Sequence, residues 1–214
     1  MIRVENLSLR AGDFQLSGID FEVPTGNYAV LMGRTGTGKT TLLEAICGLR
    51  AIQSGTIHLL GKDVTAFPAA WRGIGYVPQD RALFQTMTVR ENLAFALLIR
   101  KWRRGAMEKR VQELADLLGL EHLLDRKPGG LSGGEAQRVA LGRAIAGQPG
   151  ILCLDEPLSA LDDETREEMY VLLQSVQKYT GVTTLHVTHH RGEADRLADR
   201  ILSLKNGQII ATDA

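Results

Sequence analysis

Three short stretches carry residue types at spacings suited to phosphate chemistry. Gly33-Arg34-Thr35-Gly36-Thr37-Gly38-Lys39-Thr40 fits the GxxxxGK[ST] pattern. In such a loop, glycines let backbone N–H groups close around phosphate oxygens, the lysine reaches the outer phosphates and the hydroxyl meets Mg²⁺. Ile151-Leu152-Cys153-Leu154-Asp155-Glu156 is an apolar run ending in two acids. Neighbouring strand residues point to opposite faces, so one carboxylate can serve a metal's water shell and the other an attacking water. Alone, the pair would simply punctuate a strand; a phosphate loop in the same chain favours the chemical reading. Leu131-Ser132-Gly133-Gly134-Glu135 contains Ser-x-x-Glu, a helix capping box. That explains Ser132 and Glu135 but not two successive glycines, which loosen a helix start yet let N–H groups approach an anion. A second phosphate-binding surface is the sharper reading.

The flanking pattern supplies the elements that must position these residues. Residues 28–32 are an apolar run before the loop, and residues 40–46 have helical apolar spacing after it, giving strand, loop, helix. Such a helix aims roughly half a positive charge at the phosphates. Residues 2–9 and 14–23 alternate as strands around the turn Ala11-Gly12-Asp13, with a second turn at Pro24-Thr25-Gly26-Asn27. With residues 56–60 they predict an antiparallel sheet beside the nucleotide core. Residues 74–77 read as a short buried strand stopped by Pro78. Residues 89–147 are helical in period, with breaks at Gly105, Gly119 and Pro128-Gly129-Gly130, which makes this stretch a helical insertion. Afterwards a strand at 151–154, a helix at 162–179, a strand at 183–187, a short helix near Glu193 and strands at 201–204 and 208–211 resume the alternation.

Composition narrows the function classes. The 214 residues, 44% hydrophobic, suit a single α/β domain. The 25 basic and 25 acidic residues cancel, so no broad positive field draws nucleic acid, and no nucleic-acid partner is expected. Cys47 and Cys153 both lie in apolar runs, where a small buried thiol is expected and a disulfide is not. No stretch reaches about 18 apolar residues, and the start lacks a signal-peptide pattern, so membrane association is expected only through another protein.

The set formed by Gly33 to Thr40, Gln79 after Val77-Pro78, Leu131 to Glu135, Asp155-Glu156-Pro157, Ser159-Ala160-Leu161-Asp162 and Val187-Thr188-His189 resembles the ATP-binding-cassette (ABC) ATPases, over nearly the whole chain. The resemblance implies an α/β fold: a P-loop NTPase core at about residues 1–78 and 150–214, with an antiparallel β subdomain and an α-helical subdomain at about 80–148. It implies ATP hydrolysis with ATP and Mg²⁺ in a head-to-tail homodimer. There, each phosphate loop faces the signature turn of the other copy. Lys39 and the surrounding amides of Gly33, Arg34, Thr35, Gly36, Thr37 and Gly38 would bind the β- and γ-phosphates. Thr40 would ligate Mg²⁺ and Thr41 would contact the α-phosphate. Asp155 would hold the metal's water shell, Glu156 would activate water, Gln79 would sense metal and water, and His189 would contact the γ-phosphate. Leu131, Ser132, Gly133, Gly134 and Glu135 would meet the other copy's ATP, and Asp162 would couple the two sites. Phe14 is either the adenine-stacking aromatic or a core residue. His190, where the family often has aspartate, is either a solvated helix start or a source of pH sensitivity.

The partners the resemblance implies are transmembrane permease subunits, with a periplasmic or extracellular substrate-binding protein, and a place on the inner face of the cell membrane. The segment Asp80 to Asn92 is similar to that of importer ATPases. Leu83, Phe84 and Met87 either line the groove that receives a permease helix or pack internally. Lys101-Trp102-Arg103-Arg104 is either a solvated helix end or a contact for lipid headgroups. The wider pattern, including Arg72 to Asp80, looks most like molybdate, tungstate and related oxyanion importers. Many of these add a regulatory domain after the core; with Ala214 as the last residue, cargo feedback through one is not expected. A non-transport remodelling ATPase and a small-molecule kinase are the competing classes, and the signature turn argues against the kinase.

Overall fold

The structure is a computed structural model describing residues 1–12 and 14–213; Asp13 of the expected first turn and Ala214 lie outside the described residues. Strand β1 (Ile2–Ala11) pairs antiparallel with β2 (Phe14–Val23), Ile2 opposite Val23. The parallel core begins with β3 (Tyr28–Met32), which runs into the phosphate loop and helix α1 (Lys39–Cys47). Next, β4 (Ser54–Leu59) and the short β5 (Lys62–Asp63) complete a four-stranded sheet in the order β2-β1-β4-β5. The sequence predicts this strand two residues later. Gly55 instead lies inside β4 at φ 93°, where a Cβ would sit 2.5 Å from the β1 backbone, so only glycine admits the close pairing. Leu60, expected to end the strand, turns out of it at φ 51° to form a tight hairpin.

After β6 (Ile74–Val77) come α2 (Val89–Ile99), α3 (Arg104–Leu118) and α4 (Gly133–Ala146). Gly105 is not the expected break. The chain turns earlier, with Lys101 at φ 56°, and Gly105 falls in the first turn of α3, where helix-breaking costs least. Gly119 does end α3 in a left-handed cap. Trp102 packs against the apolar core of these helices, which removes it from the lipid-contact reading. Leu83 also packs inward, whereas Phe84 stacks on Phe95 with ring centroids 4.4 Å apart along a surface groove. Leu83 therefore follows the internal-packing reading, while Phe84 lies at the wall of a groove.

The chain returns through β7 (Ile151–Asp155), α5 (Asp163–Thr180), β8 (Thr183–Thr188), α6 (Arg191–Leu197), β9 (Arg200–Lys205) and β10 (Gln208–Asp213). The second sheet has the order β10-β9-β3-β8-β7-β6, parallel except for β10. Strand alternation divides its side chains between two cores. Val30, Leu152 and Leu154 face the core shared with helices α2 to α5, whereas Leu31, Ile151, Cys153, Leu185 and Val187 face the core that α1 shares with the antiparallel sheet. Cys47 joins the second core, and both cysteines are free and buried. Among the described residues, no helix is long and apolar enough to cross a membrane.

Candidate functional site

At the C-terminal ends of β3, β7 and β8, where open parallel sheets bind ligands, a cleft of about 390 Å³ is lined by Phe14, Thr35, Gly36, Gly38, Lys39, Thr40, Thr41, Gln79, Glu156 and His189. Gly36 and Gly38 have φ of 81° and 91°. A Cβ on Gly38 would lie 2.3 Å from the Phe14 ring, so the loop and that aromatic require each other's shape. Phe14 packs on the core, as its second reading has it, and also walls the cleft.

Lys39 is 6% exposed, and its Nζ donates to Gly33 O at 2.9 Å and Arg34 O at 3.1 Å. Burial lowers its pKa, while Glu156 and Asp155 oppose that shift. Thr40 Oγ1 donates to Asp155 Oδ1 at 2.9 Å. Burial pushes the Asp155 carboxyl up against that hydrogen bond, and nearby Glu156 and Glu44 push the same way. A buried carboxylate short of compensating charge beside a hydroxyl is a fitting donor set for a hard, oxygen-seeking cation. Among the described residues no group of three His, Cys, Asp or Glu side chains could hold a metal ion alone, so phosphate and water oxygens would have to complete a Mg²⁺ shell.

Glu156 adopts φ 47°, a strained value for a non-glycine residue, while its N–H bonds Val187 O at 2.9 Å. That kink turns the carboxylate toward His189, whose Nδ1 lies 2.9 Å from both Glu156 oxygens. Gly33, Arg34 and Thr37 turn to an adjoining cleft with His189, Arg191 and Lys205. His190 stands at the start of α6 without a side-chain capping bond, exposed, with its ring 4.0 Å from that of His189.

The signature residues lie elsewhere. None lines the phosphate-loop cleft. Ser132 caps α4, accepting from Glu135 N at 3.2 Å while Ser132 N donates to Glu135 Oε2 at 2.6 Å. Asp162 caps α5 through Thr165 N and Oγ1, both at 2.9 Å. The two helix starts touch: a Cβ on Gly134 would meet Thr165 Cγ2 at 2.5 Å.

Sequence reasoning missed a buried polar set beneath His189. Tyr28 Oη lies 2.9 Å from His186 Nδ1, and His186 Nε2 is 3.1 Å from Glu193 Oε2, within ion-pair range although outside hydrogen-bond alignment. The available signal was a lone histidine within the β8 run. It also missed the contacts of Arg81 and Arg143, which no motif marks.

The family described as ABC transporter matches residues 16–159. The chain is 43% identical to the molybdate/tungstate import ATP-binding protein WtpC of Thermococcus kodakarensis, over 98% of this chain and 64% of that protein. It is 46% identical to the sulfate/thiosulfate import ATP-binding protein CysA of Mycobacterium tuberculosis, over 97% of this chain and 60% of that one. The chain therefore spans less than two thirds of the length of these relatives. The dimeric structure of the ABC transporter cassette MJ0796 superposes with a TM-score of 0.87 at 30% identity, covering 100% of this chain and 98% of the other.

Proposed function

This chain belongs to the ABC transporter family, and from that premise we propose that it is the ATP-hydrolysing subunit of an importer, working as a head-to-tail homodimer. The observation that carries the reading is the split between one cleft, which holds the phosphate loop, Gln79, Glu156 and His189, and a signature turn placed outside it. A half-site of each kind on every copy makes two complete sites only in a pair.

Lys39, released from the carbonyls of Gly33 and Arg34, would move its charge to the outer phosphates. The Glu156 carboxylate would take the proton from the attacking water, and His189 would hold that carboxylate and face the γ-phosphate. Thr40, Asp155 and Gln79 would hold Mg²⁺, which when bound neutralises charge on the phosphates. Ser132 and the Gly133 and Gly134 amides would close on the γ-phosphate held by the other copy. Asp162, sharing Thr165 with the Gly134 contact, would couple that turn to the dimer.

The named cargoes of the two relatives, molybdate or tungstate and sulfate or thiosulfate, are all tetrahedral oxyanions, and we place this chain's cargo in that class. The permease would dock in the groove at Phe84 and Phe95, from the inner face of the membrane, with a substrate-binding protein on the far side.

The test is Glu156→Gln in purified chain. It is expected to bind ATP, to hydrolyse it about a thousandfold more slowly, and to accumulate a nucleotide-bound dimer detectable by light scattering. Unimpaired turnover would remove Glu156 from the chemistry. Co-purification from detergent-solubilised membranes of a permease and an oxyanion-binding protein tests the import half of the proposal.

A further inference from the structure

The loop carrying Gln79 is held in a shape its own residues disfavour. Arg81 and Ala82 both have positive φ, 63° and 45°. Successive left-handed non-glycine residues persist only where their surroundings over-determine them, because Cβ crowds the backbone carbonyl. Here the signature helix does so. Arg143 on α4 donates Nη1 to Ala82 O at 2.6 Å and Nη2 to Arg81 O at 2.9 Å, one planar guanidinium clamping both peptides. Arg81 Nε reaches the same helix at Gln137 Oε1, 3.1 Å away, and Gln137 is buried. Arg81 N bonds Pro78 O at 2.9 Å, so the clamped residues close the turn in which Gln79 sits. Arg143 also lies 5.0 Å over the Phe84 ring, at the wall of the groove it shares with Phe95.

We infer that Arg143 is a positioning residue for hydrolysis: a latch that ties the strained Gln79 turn to the signature helix and to the Phe84 groove. The inference rests on the ATPase reading above. The same helix starts at the Ser132 cap and ends near Arg143, so a shift of α4 or of the groove displaces the peptides that follow Gln79. Strain makes the arrangement two-sided: with the guanidinium in place the turn keeps its shape, and without it Arg81 and Ala82 relax to ordinary φ and withdraw the Gln79 carboxamide from the cleft. A lysine at 143 can bond one carbonyl at a time and would hold the turn only partly.

The experiment compares wild type, Arg143→Ala, Ala82→Gly and the double variant in Mg²⁺-dependent ATP turnover and in equilibrium ATP binding. Arg143→Ala is expected to lower kcat about tenfold with ATP affinity within about twofold, the pattern of a misplaced reacting group. Ala82→Gly alone keeps wild-type turnover. In the double variant it restores part of the lost kcat, because glycine adopts positive φ at position 82 without steric cost while Arg81 keeps its own strain. Damage to α4 packing would not be repaired by a change in a different segment. Unchanged kcat in Arg143→Ala, or a loss that Ala82→Gly leaves in place, overturns the latch. Should Arg143→Ala fail to fold, Arg143→Lys is read by the same criteria, with a smaller drop expected. A wild type that does not hydrolyse ATP sinks the parent reading; a wild type that does, with Arg143→Ala equal to it, sinks the latch alone.

Discussion

Helices α1 and α4 both begin in glycine-rich turns, yet they meet phosphate chemistry in opposite conditions. Helix α1 starts at Gly38, left-handed and without a side-chain cap, so its first N–H groups are left for phosphate oxygens. Helix α4 starts at Ser132 with a complete capping box, so part of its anion-binding capacity is already taken by its own Glu135. The first turn is a cradle that can bind nucleotide unaided. The second is a stable helix start whose remaining amides at Gly133 and Gly134 would, on the proposed function, act on a phosphate already held. Under the proposed function the difference implies an order: ATP would bind the phosphate loop of one copy first, and the signature turn of another would then close on it.

The largest effect separates the two turns by mixing. Lys39→Ala is expected to lose ATP binding, and Ser132→Arg to keep binding but lose turnover by about a hundredfold or more. Each is nearly inactive alone. Mixed, the two chains form dimers in which an intact phosphate loop faces an intact signature turn at one of the two positions, and activity returns. Failure to recover activity on mixing, with heterodimers verified by co-purification through a different affinity tag on each chain, would sink the composite site.

Next comes a comparison of the glycines themselves. Gly38→Ala sets a methyl 2.3 Å from the Phe14 ring at φ 91°, a steric and a conformational conflict together. Gly134→Ala meets only the Thr165 methyl, at 2.5 Å, and a slight separation of α4 from α5 relieves it. Gly38→Ala is expected to cost about 2–3 kcal/mol and weaken ATP binding; Gly134→Ala should cost about 1 kcal/mol and leave binding alone. Thermal melts with and without ATP distinguish them, and equal losses would mean the first turn is no tighter than the second.

The legibility of the two turns in the sequence differs for a physical reason. Backbone cradles and strand ends are local, so Gly33 to Thr40 and Asp155-Glu156 could be placed from spacing alone. The two-core division of the parallel sheet was not legible, because its strands are buried on both faces and run apolar without alternation. What else escaped was long-range and made by ordinary residues: the φ of Glu156 that swings it onto His189, the Arg143 clamp on Arg81 and Ala82, and the Tyr28–His186–Glu193 set under β8. Gly105 misled because a glycine in a first helical turn and a glycine between helices look alike in sequence. The resemblance assigns Asp162 a role between copies, whereas the structure shows it capping α5, the more local event.

A smaller effect sharpens the comparison through charge. The Asp155 pKa is raised by burial above the usual value near 3.8. The folded chain therefore holds that proton more tightly than the unfolded one, so stability falls as pH rises through the folded pKa, and the penalty persists at neutral pH. Asp155→Asn should raise the nucleotide-free melting temperature at pH 7 by a few degrees while abolishing protection by Mg²⁺ and ATP. A lower melting temperature would mean that the Thr40 bond outweighs the burial.

The signature turn has the opposite sign and the smallest effect. The Glu135 pKa is lowered below its usual 4.5, chiefly by the Ser132 N–H it accepts, against slight burial. A depressed carboxylate contributes stability above its unfolded pKa and loses it as pH falls through the folded one. Wild type and Glu135→Gln should therefore differ most at neutral pH and converge below about 4.5, by an amount that salt reduces little because the partner is a backbone dipole and not a free charge. Chemical-denaturation midpoints for the pair across pH 3 to 7 measure this. A gap that persists at the acid end would show that Glu135 acts through packing, and the capped state of the signature turn would then lose its electrostatic basis.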